Sequence, residues 1–498
     1  MITEWQIDME RLKSVMAFDQ ASPLLFNTGL FMLLFVAFMG VYTLLRGHRT
    51  VKMIAVILFS LYFYYKSSAE YCFILLGVCL SDYLLGILLG KARRVWVVRK
   101  CIVALNVTVN LGMLVYFKYL NLLLDTVASF ADKAFDPLDI ILPAGISFFT
   151  FRSISYMVDI YRGHIEPCRS FLSYVFFLTF FPPLLAGPVV RARDMLPQVE
   201  ADPVATSAMV SEGLFLIIAG LIKKVIVADF ISQNFVDRVF DNPSLYSGFE
   251  NLLAIYGFTL QLYCDFSGYS DMAIGIALLM GYRFFDNFRS PFKSQSPTEF
   301  WHRWHISLST WLRDYVYIPL GGNRKGNARR HANLMTTMVL GGLWHGASWM
   351  YVIWGAWHGF LLVMHKALKS LFPSLPDNKR RSWWRVAGNV FLTFNLVALG
   401  FMFFRAESME KVGEMTRQIF CDFHLSVAPQ FVEGYMMIVL IMIAGFAMHF
   451  APSRWAEKTK ACFHRLGPWG QTIVLVIVLM IIIQVRQSDI VPFIYLQY

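Results

Sequence analysis

The amino-acid sequence predicts an all-α polytopic protein that crosses a membrane many times. Its composition is 57% hydrophobic and only 15% charged, whereas soluble domains carry about 25% charged residues. The apolar residues form continuous runs, which is typical of membrane helices rather than of half-buried strands. Several runs are shorter than the roughly 20 residues of a full span, so we expect about 11–14 tilted transmembrane and re-entrant helices.

Positive charge is concentrated between the apolar runs. The formal net charge is +11, which in a soluble protein would suggest binding to nucleic acid. Here the basic segments flank predicted spans, where positive charge fixes helix orientation, so we expect contact with membrane lipids and not with nucleic acid. Lys91–Lys100 also remains a candidate for binding anionic lipid or a phosphorylated donor such as coenzyme A. The basic segments are Arg46–Lys52, Lys91–Lys100, Arg324–Arg330 and Lys379–Arg385.

The chain divides into three predicted segments. Residues 1–23 are predicted to form an amphipathic helix on the membrane surface, because apolar side chains recur there at helical spacing. Residues 24–405 form the membrane core, in which polar motifs interrupt the apolar runs. Residues 406–498 return to plain apolar runs and predict C-terminal transmembrane helices. The helical spacing at the start of the chain is that of Trp5, Met9, Leu12 and Met16.

Charged residues inside the membrane core are candidates for a functional cavity. Arg152 and Asp159 lie seven residues apart and so share one helix face. Asp265 and Asp271 adjoin apolar sequence, and a buried charge needs a partner. Two interpretations stay open for these residues: they line a polar cavity, or they pair with other charges within the helix bundle.

A charged helix is predicted from Ser296 to Tyr315. Ser296 and Glu299 form a capping box, and Pro297 occupies the first helical position. The segment carries too much charge to face lipid, so it lies at the interface or lines an internal chamber. His302 and His305 nearly share a face, but no third ligand is spaced with them, and we expect no metal site. A direct bond between His305 and Asp314 would need a bend in this helix.

A second histidine lies within an uncharged apolar stretch. The stretch His331–His365 has no acidic residue, lysine or arginine, yet Trp344-His345-Gly346 lies in its middle. Ionisable groups are disfavoured inside a bilayer, which makes His345 a candidate functional residue. His358 lies about 140° from His345 around a continuous helix, so only one of them points into a given cavity. The small residues around His345 favour it, and we assign His358 to packing.

The candidate histidines fit acyl transfer to an alcohol. Desolvation keeps an imidazole neutral, and a neutral imidazole is suited to take a proton from a hydroxyl. The sequence shows no zinc spacing, no Walker or Rossmann loop and no Ser-His-Asp order. A thioester donor needs no metal, because its thiolate leaves readily.

Six motifs follow one another along the membrane core. They are Gly145-Ile-Ser-Phe-Phe-Thr-Phe, Asp265-Phe-Ser-Gly-Tyr-Ser-Asp271-Met-Ala, Asn287-Phe-Arg-Ser-Pro-Phe292, Phe300-Trp-His-Arg-Trp-His-Ile-Ser-Leu-Ser309 with Trp311-Leu-Arg-Asp-Tyr315, Pro319-Leu-Gly-Gly-Asn323, and Gly341-Gly-Leu-Trp-His-Gly-Ala-Ser348. In this order they resemble the motifs of the membrane-bound O-acyltransferase family, especially the bacterial branch that acetylates alginate and related exopolysaccharides. The resemblance covers roughly residues 24–405.

The resemblance implies a ring of tilted helices around a central funnel, with His345 and His305 as the catalytic histidines. Trp304, Asp314 and Trp344 would then support the site. It implies acetyl-coenzyme A as the acyl donor, no bound cofactor, and a place in the bacterial cytoplasmic (inner) membrane. The implied partners are an extracytoplasmic acetyltransferase of the serine-esterase-like SGNH type and the polysaccharide export machinery.

Two other functions remain open. A sister branch of the same family moves D-alanine from a carrier protein to teichoic acid with the same fold and the same histidine. A transporter would instead use the histidines and aspartates as a proton relay, but the inverted repeats of many such folds are not seen in the sequence.

Overall fold

A computed structural model describes residues 9–19, 23–371 and 382–485 of the chain. The predicted all-α fold is confirmed, because the described residues contain helices, turns and bends but no β-strand. They divide into two compact units, which are described separately. The first unit comprises residues 1–186 and 190–204, and the second comprises residues 187–189 and 205–498.

Nine α-helices form the described part of the first unit. A buried polar network joins four of them. The carboxylate of Asp82 accepts hydrogen bonds from Asn106 and Tyr174 at 2.7 Å each, and the Asn106 amide also donates to the hydroxyl of Ser153 at 3.4 Å. Because each buried polar group has a partner in another helix, the network fixes how these helices pack. The helices are α1 Met9–Met16, α2 Gly29–Leu44, α3 Arg49–Ser68, α4 Cys72–Lys91, α5 Trp96–Leu114, α6 Leu120–Phe130, α7 Ile146–Arg162, α8 Phe171–Thr179 and α9 Ala192–Ala201.

The second unit is organised around one long helix of 32 residues, Gly248–Leu279, which begins at a complete capping box of Ser247 and Glu250. The unit also contains π-helical segments at Ile222–Asp229 and Arg313–Tyr317. Its described α-helices are α10 Ser207–Leu221, α11 Asp237–Asp241, α12 Gly248–Leu279, α13 Pro297–Arg303, α14 Ile306–Leu312, α15 Gly326–His345, α16 Trp349–Leu371, α17 Trp383–Arg405, α18 Met409–Cys421, α19 Ala428–Gly434, α20 Met436–Phe450, α21 Ser453–Arg465 and α22 Gly467–Val485.

Among the described residues, four helical runs are long and apolar enough to cross a membrane by length and composition. A fifth candidate is the pair α19 and α20, which is bent by 97° and adjoins the short run Leu425–Val427. Other helices do not meet both criteria: α12, with 32 residues, is long enough but not apolar enough, and the apolar stretch at residues 171–185 forms a helix only as far as Thr179. The multi-pass character is confirmed, and the count of 11–14 stays a prediction. The four runs are Arg49–Lys91, Trp96–Phe130, Trp383–Arg405 and Gly467–Val485.

The predicted terminal segments are described in part. Helix α1 begins at Met9 within the predicted N-terminal amphipathic helix, while residues 1–8, including Trp5, lie outside the described residues. The predicted C-terminal region contains helices α18 to α22, and residues 486–498 lie outside the described residues.

Glycine allows α10 and α12 to pack backbone against backbone. A Cβ added at Gly275 would lie 2.6 Å from the carbonyl oxygen of Gly213, and one added at Gly220 would lie 2.5 Å from that of Gly268. Side chains therefore cannot replace these glycines without separating the helices. This packing holds α12, which carries Asp265 and Asp271, against the π-helical continuation of α10.

We expect Gly275→Leu to lower the stability of the detergent-solubilised protein by about 1–3 kcal/mol or more, because overpacking forces the two backbones apart. Thermal unfolding measures the loss. The matched control is Gly388→Leu, since a Cβ at Gly388 meets no atom within 4 Å. Equal melting temperatures for the two variants would contradict this account of the α10–α12 contact.

Candidate active site

The predicted helix Ser296–Tyr315 begins as expected but is broken in its middle. The Ser296 side chain accepts a hydrogen bond from the backbone N–H of Glu299, and α13 starts at Pro297. Helix α13 ends at Arg303, and α14 starts at Ile306. Between them His305 adopts left-handed backbone angles, with φ 42° and ψ 56°. A residue with a side chain adopts this conformation at a cost of about 1–3 kcal/mol, so other contacts must hold it.

The loop containing Asn287 supplies those contacts. The backbone carbonyl of Asn287 accepts the N–H of Ile306 at 2.9 Å, and the N–H of Arg289 donates to the carbonyl of Arg303 at 2.9 Å. The loop is therefore bonded on both sides of the break. The Asn287 side-chain oxygen also lies 3.2 Å from Nδ1 of His305 and 2.8 Å from the hydroxyl of Ser307.

His305 is wholly buried in an aromatic environment. Its ring lies 4.5 Å from that of Phe266, 6.3 Å from that of Phe288 and 5.9 Å from that of Trp344, measured between ring centres. These neighbouring rings carry no charge. Burial without an acidic neighbour disfavours the imidazolium form, so His305 is suited to act as a neutral imidazole.

His345 is the last residue of α15 and is also buried. Its ring lies 4.8 Å from Trp354 on α16 and 5.2 Å from Phe404 on α17. The following Gly346 lets the chain turn closely past α16, because a Cβ there would clash with the ring of Tyr351. The glycine-rich surroundings predicted from the sequence thus bring the backbone of α15 close to that of α16.

Trp344 connects the two histidines. Its ring contacts His305 at 5.9 Å and His345 at 5.0 Å. The structure therefore brings three of the candidate residues together in one buried aromatic cluster. Trp304 contacts this cluster through Phe288: its ring lies 5.1 Å from that of Phe288, which in turn lies 6.3 Å from that of His305.

Asp314 is not brought to His305. Its carboxylate is held by the guanidinium of Arg313, with Nε to Oδ1 at 2.7 Å and Nη2 to Oδ2 at 3.2 Å. Although the bend that such a bond would need is present, the side chains within hydrogen-bond distance of the His305 ring are those of Asn287 and Ser307.

The two aspartates of α12 form ion pairs with lysines of the π-helical segment Ile222–Asp229. Lys224 lies 2.7 Å from both Asp265 and Asp229, and Lys223 lies 2.6 Å from Asp271. The Lys224 and Asp265 side chains are only 2% and 6% exposed. Pairing within the bundle, one of the two interpretations left open by the sequence, therefore describes both aspartates.

Arg152 belongs to the first unit, on α7. It is wholly buried, its Nη2 donates to the carbonyl of Phe177, and its guanidinium stacks 5.0 Å from the Phe177 ring. Asp159, on the same helix, lies 3.4 Å from His164. Arg152 and Asp159, which were predicted to share one helix face, thus contact different neighbours.

The remaining histidines of these motifs are His302 and His358. His302 is exposed. His358 is buried among aromatic rings, 4.8 Å from Trp354 and 5.3 Å from Trp301. Neither ring nitrogen of His358 has a hydrogen-bond partner among the described residues, so aromatic packing holds this side chain.

A cavity of about 300 Å³ opens beside α13 and α14. Ile306, the residue after His305, lines it, and Trp301 links its wall to the cluster because its ring lies 5.9 Å from that of Trp354. Basic and hydroxyl-bearing side chains both line the cavity. Such a cavity suits an elongated ligand with an anionic group. The polar lining residues are Thr298, His302, Ser309, Thr310, Arg313, Tyr317, Thr337 and Lys366.

Sequence reasoning missed the residues that support the site. Asn287 was noted only as the start of a motif, although a buried amide beside a histidine motif is a natural partner for an imidazole. Lys223 and Lys224 lie in an otherwise apolar run, and two cations in such a run were a sign that Asp265 and Asp271 had partners.

Buried histidines in an aromatic cluster of a helical membrane protein are the features expected of a membrane acyltransferase. The family model described as the membrane-bound O-acyltransferase family matches residues 162–405. A probable alginate O-acetylase, AlgI, of Pseudomonas putida is 39% identical over 86% of this chain and 87% of its own length. The chain belongs to the membrane-bound O-acyltransferase family and is an O-acyltransferase of a membrane.

More distant relatives act on other cell-envelope polymers, according to their names. A peptidoglycan O-acetyltransferase of Helicobacter pylori is 33% identical over 80% of each chain. A teichoic acid D-alanyltransferase of Streptococcus thermophilus is 30% identical over 52% of this chain and 67% of its own length. The similarity thus extends over more of the chain for the O-acetylating relatives than for the D-alanylating one.

The ion pairs at Lys224 predict an order of stabilities. Lys224→Met leaves two buried carboxylates without their cation and is expected to cost about 3–5 kcal/mol. Asp265→Leu should cost less, because Lys224 keeps Asp229. Urea or thermal unfolding of the solubilised variants measures both. As a control, Lys460→Met breaks a more exposed pair with Glu212 and should cost at most about 1 kcal/mol; a Lys224→Met variant as stable as this control would contradict the account.

Proposed function

We propose that this protein transfers acetyl groups from acetyl-coenzyme A toward an exported, alginate-like polysaccharide, with His345 as the catalytic base. The observation that carries the proposal is the contact of His305 and His345 with the same indole in a buried, uncharged cluster. The names of the O-acetylating relatives support acetyl as the group transferred and a polysaccharide as its destination.

The chemistry requires one proton to move from the acceptor hydroxyl through His345 to the leaving thiolate, and it requires no metal. Neutral His345 takes the proton of the acceptor hydroxyl as its oxygen attacks the thioester carbonyl. The C–S bond then breaks, the new ester forms, and the proton passes to the departing thiolate. Aromatic walls exclude water, which protects the thioester from hydrolysis. His305 supports this reaction from the other side of Trp344.

The cavity beside α14 is the site we propose for the donor. Its cationic side chains, Lys366 and Arg313, suit the phosphates of coenzyme A. Its hydroxyl-bearing lining suits the amide-containing arm that carries the thioester. The thioester end of the arm then reaches the aromatic cluster around His345 past Trp301, whose ring lies 5.9 Å from that of Trp354.

The further steps lie outside this chain. We propose that the acetyl group leaves the bacterial cytoplasmic (inner) membrane toward an extracytoplasmic SGNH-type acetyltransferase, which completes transfer to the sugar beside the export machinery. The family resemblance and the names of the relatives support this arrangement. D-alanyl transfer to teichoic acid is less favoured, since similarity to the D-alanyltransferase covers only 52% of this chain.

We expect His345→Ala to abolish acetyl transfer, because no other group replaces the base, and His305→Ala to reduce it by roughly 10²–10⁴-fold. The assay uses purified protein and labelled acetyl-coenzyme A, with and without the extracytoplasmic partner. His424→Ala is the control, as His424 is an exposed residue paired with Asp422. Near-normal transfer by a folded His345→Ala variant would show that the catalytic assignment is wrong.

Lys366→Gln tests the donor site. Loss of one partly exposed cation should raise KM for acetyl-coenzyme A by roughly fivefold with little change in kcat. The difference from the unmodified protein should shrink at high salt, where charges are screened. Lys411→Gln, which removes a charge paired with Glu414 on α18, is the control. A fall in kcat with unchanged KM would show that Lys366 does not bind the donor.

A further inference from the structure

The hydrogen bonds around Asn287 determine which nitrogen of His305 carries its proton. The backbone N–H of Ser307 points at the side-chain oxygen of Asn287, 3.2 Å away. A backbone N–H is always a donor, so the atom that faces it must be the amide oxygen and not the amide nitrogen. The amide orientation is also consistent with its other end, where Nδ2 of Asn287 donates to the hydroxyl of Ser270 at 3.2 Å.

The hydroxyl of Ser307 reinforces this arrangement. Its oxygen accepts the backbone N–H of Val189 at 3.0 Å, so its own hydrogen is available to the Asn287 oxygen, 2.8 Å away. The same oxygen lies 3.2 Å from Nδ1 of His305. An amide oxygen carries no hydrogen and can only accept, so Nδ1 must be the protonated nitrogen of the imidazole. The Ser307 oxygen also lies 3.4 Å from Nδ1, and because its own hydrogen is directed to Asn287 it can only accept there as well.

The opposite nitrogen is left with a lone pair. In a neutral imidazole only one nitrogen carries hydrogen, so Nε2 of His305 is an acceptor. This atom is buried and has no hydrogen-bond partner among the described residues. A buried acceptor without a partner costs about 1–3 kcal/mol, and a substrate that donates a hydrogen bond to Nε2 would remove this cost.

We propose that Asn287 is a positioning residue that holds His305 in the tautomer protonated at Nδ1, so that Nε2 accepts a hydrogen bond from the reacting molecules. The inference rests on the proposed function and deepens it. In this tautomer His305 cannot donate to the carbonyl oxygen of a thioester. It can only bind a group that offers hydrogen, such as the acceptor hydroxyl before transfer or the free thiol after it.

Two substitutions of Asn287 separate this role from packing. Asn287→Leu keeps the size of the side chain but removes the acceptor for Nδ1–H, and kcat should fall on the order of 10- to 100-fold while KM for acetyl-coenzyme A changes little. Asn287→Asp keeps the acceptor and adds a negative charge, which favours the imidazolium. Since the neutral ring is the active form, the acid limb of the kcat–pH profile should move to higher pH by about one to two units. Activity should recover above that limb.

Asn251→Leu is the matched control for the loss of a buried asparagine. The amide of Asn251 holds the loop before α12 through Pro243 and Tyr246, and we place it outside the reaction site. This variant is expected to lower the melting temperature but to leave the pH profile of the remaining activity unchanged. A pH shift in Asn251→Leu equal to that in Asn287→Asp would overturn the specific role of Asn287.

His345→Ala, assayed in parallel, distinguishes failure of the proposed function from failure of the positioning role of Asn287. If His345→Ala is inactive but folded Asn287→Leu keeps full kcat, the positioning role is wrong and the proposed function stands. If His345→Ala is active, the proposed function is wrong, and the positioning role of Asn287, which rests on it, is wrong as well. Should Asn287→Leu not fold, the ¹⁵N shifts of labelled histidine in the unmodified protein decide: the role requires a protonated Nδ1 at His305, and a protonated Nε2 in its neutral form would overturn it.

Discussion

The break between α13 and α14 is the constraint on which the proposed site depends. His305 pays the conformational cost of left-handed angles, φ 42° and ψ 56°, and the chain is held there by the loop around Asn287. Hydrogen bonds from this loop reach both sides of the break. The break ends one helix before His305 and starts another after it, and so aims the imidazole at Phe266 and Trp344.

Charge is kept away from the two histidines. In the second unit the carboxylates of Asp265 and Asp271 are matched by Lys224 and Lys223. Asp314 is matched by Arg313. The rings packed against His305 and His345 are aromatic, so the surroundings favour neutral imidazole. A neutral base beside a water-excluding wall is what acyl transfer from a thioester requires.

The sequence predicted the parts of this arrangement that depend on local patterns. Continuous apolar runs predicted the helical membrane fold, Ser296 with Pro297 predicted the start of α13, and an ionisable residue in an uncharged stretch singled out His345. Resemblance to known motifs added His305, and adjacency in sequence placed Trp344 beside His345.

The parts that sequence did not predict depend on contacts between distant segments. The bond of Asn287 to His305 spans 18 positions, and the pair of Lys223 and Asp271 spans 48. Neither follows from helical periodicity. The break at His305 was not predicted either, because its residues are compatible with a continuous helix and only tertiary hydrogen bonds pull them out of it. The contact of Trp344 with both histidines likewise required the three-dimensional packing of α14 against α15.

The central claim is that His305 and His345 act as one unit on either side of Trp344. A double-mutant cycle on kcat/KM for acetyl-coenzyme A, with each histidine replaced by glutamine singly and together, tests it most directly. Residues that act as a unit show strongly non-additive losses, so the double variant should be little worse than the more impaired single variant. Losses that multiply, as for independent sites, would contradict the account.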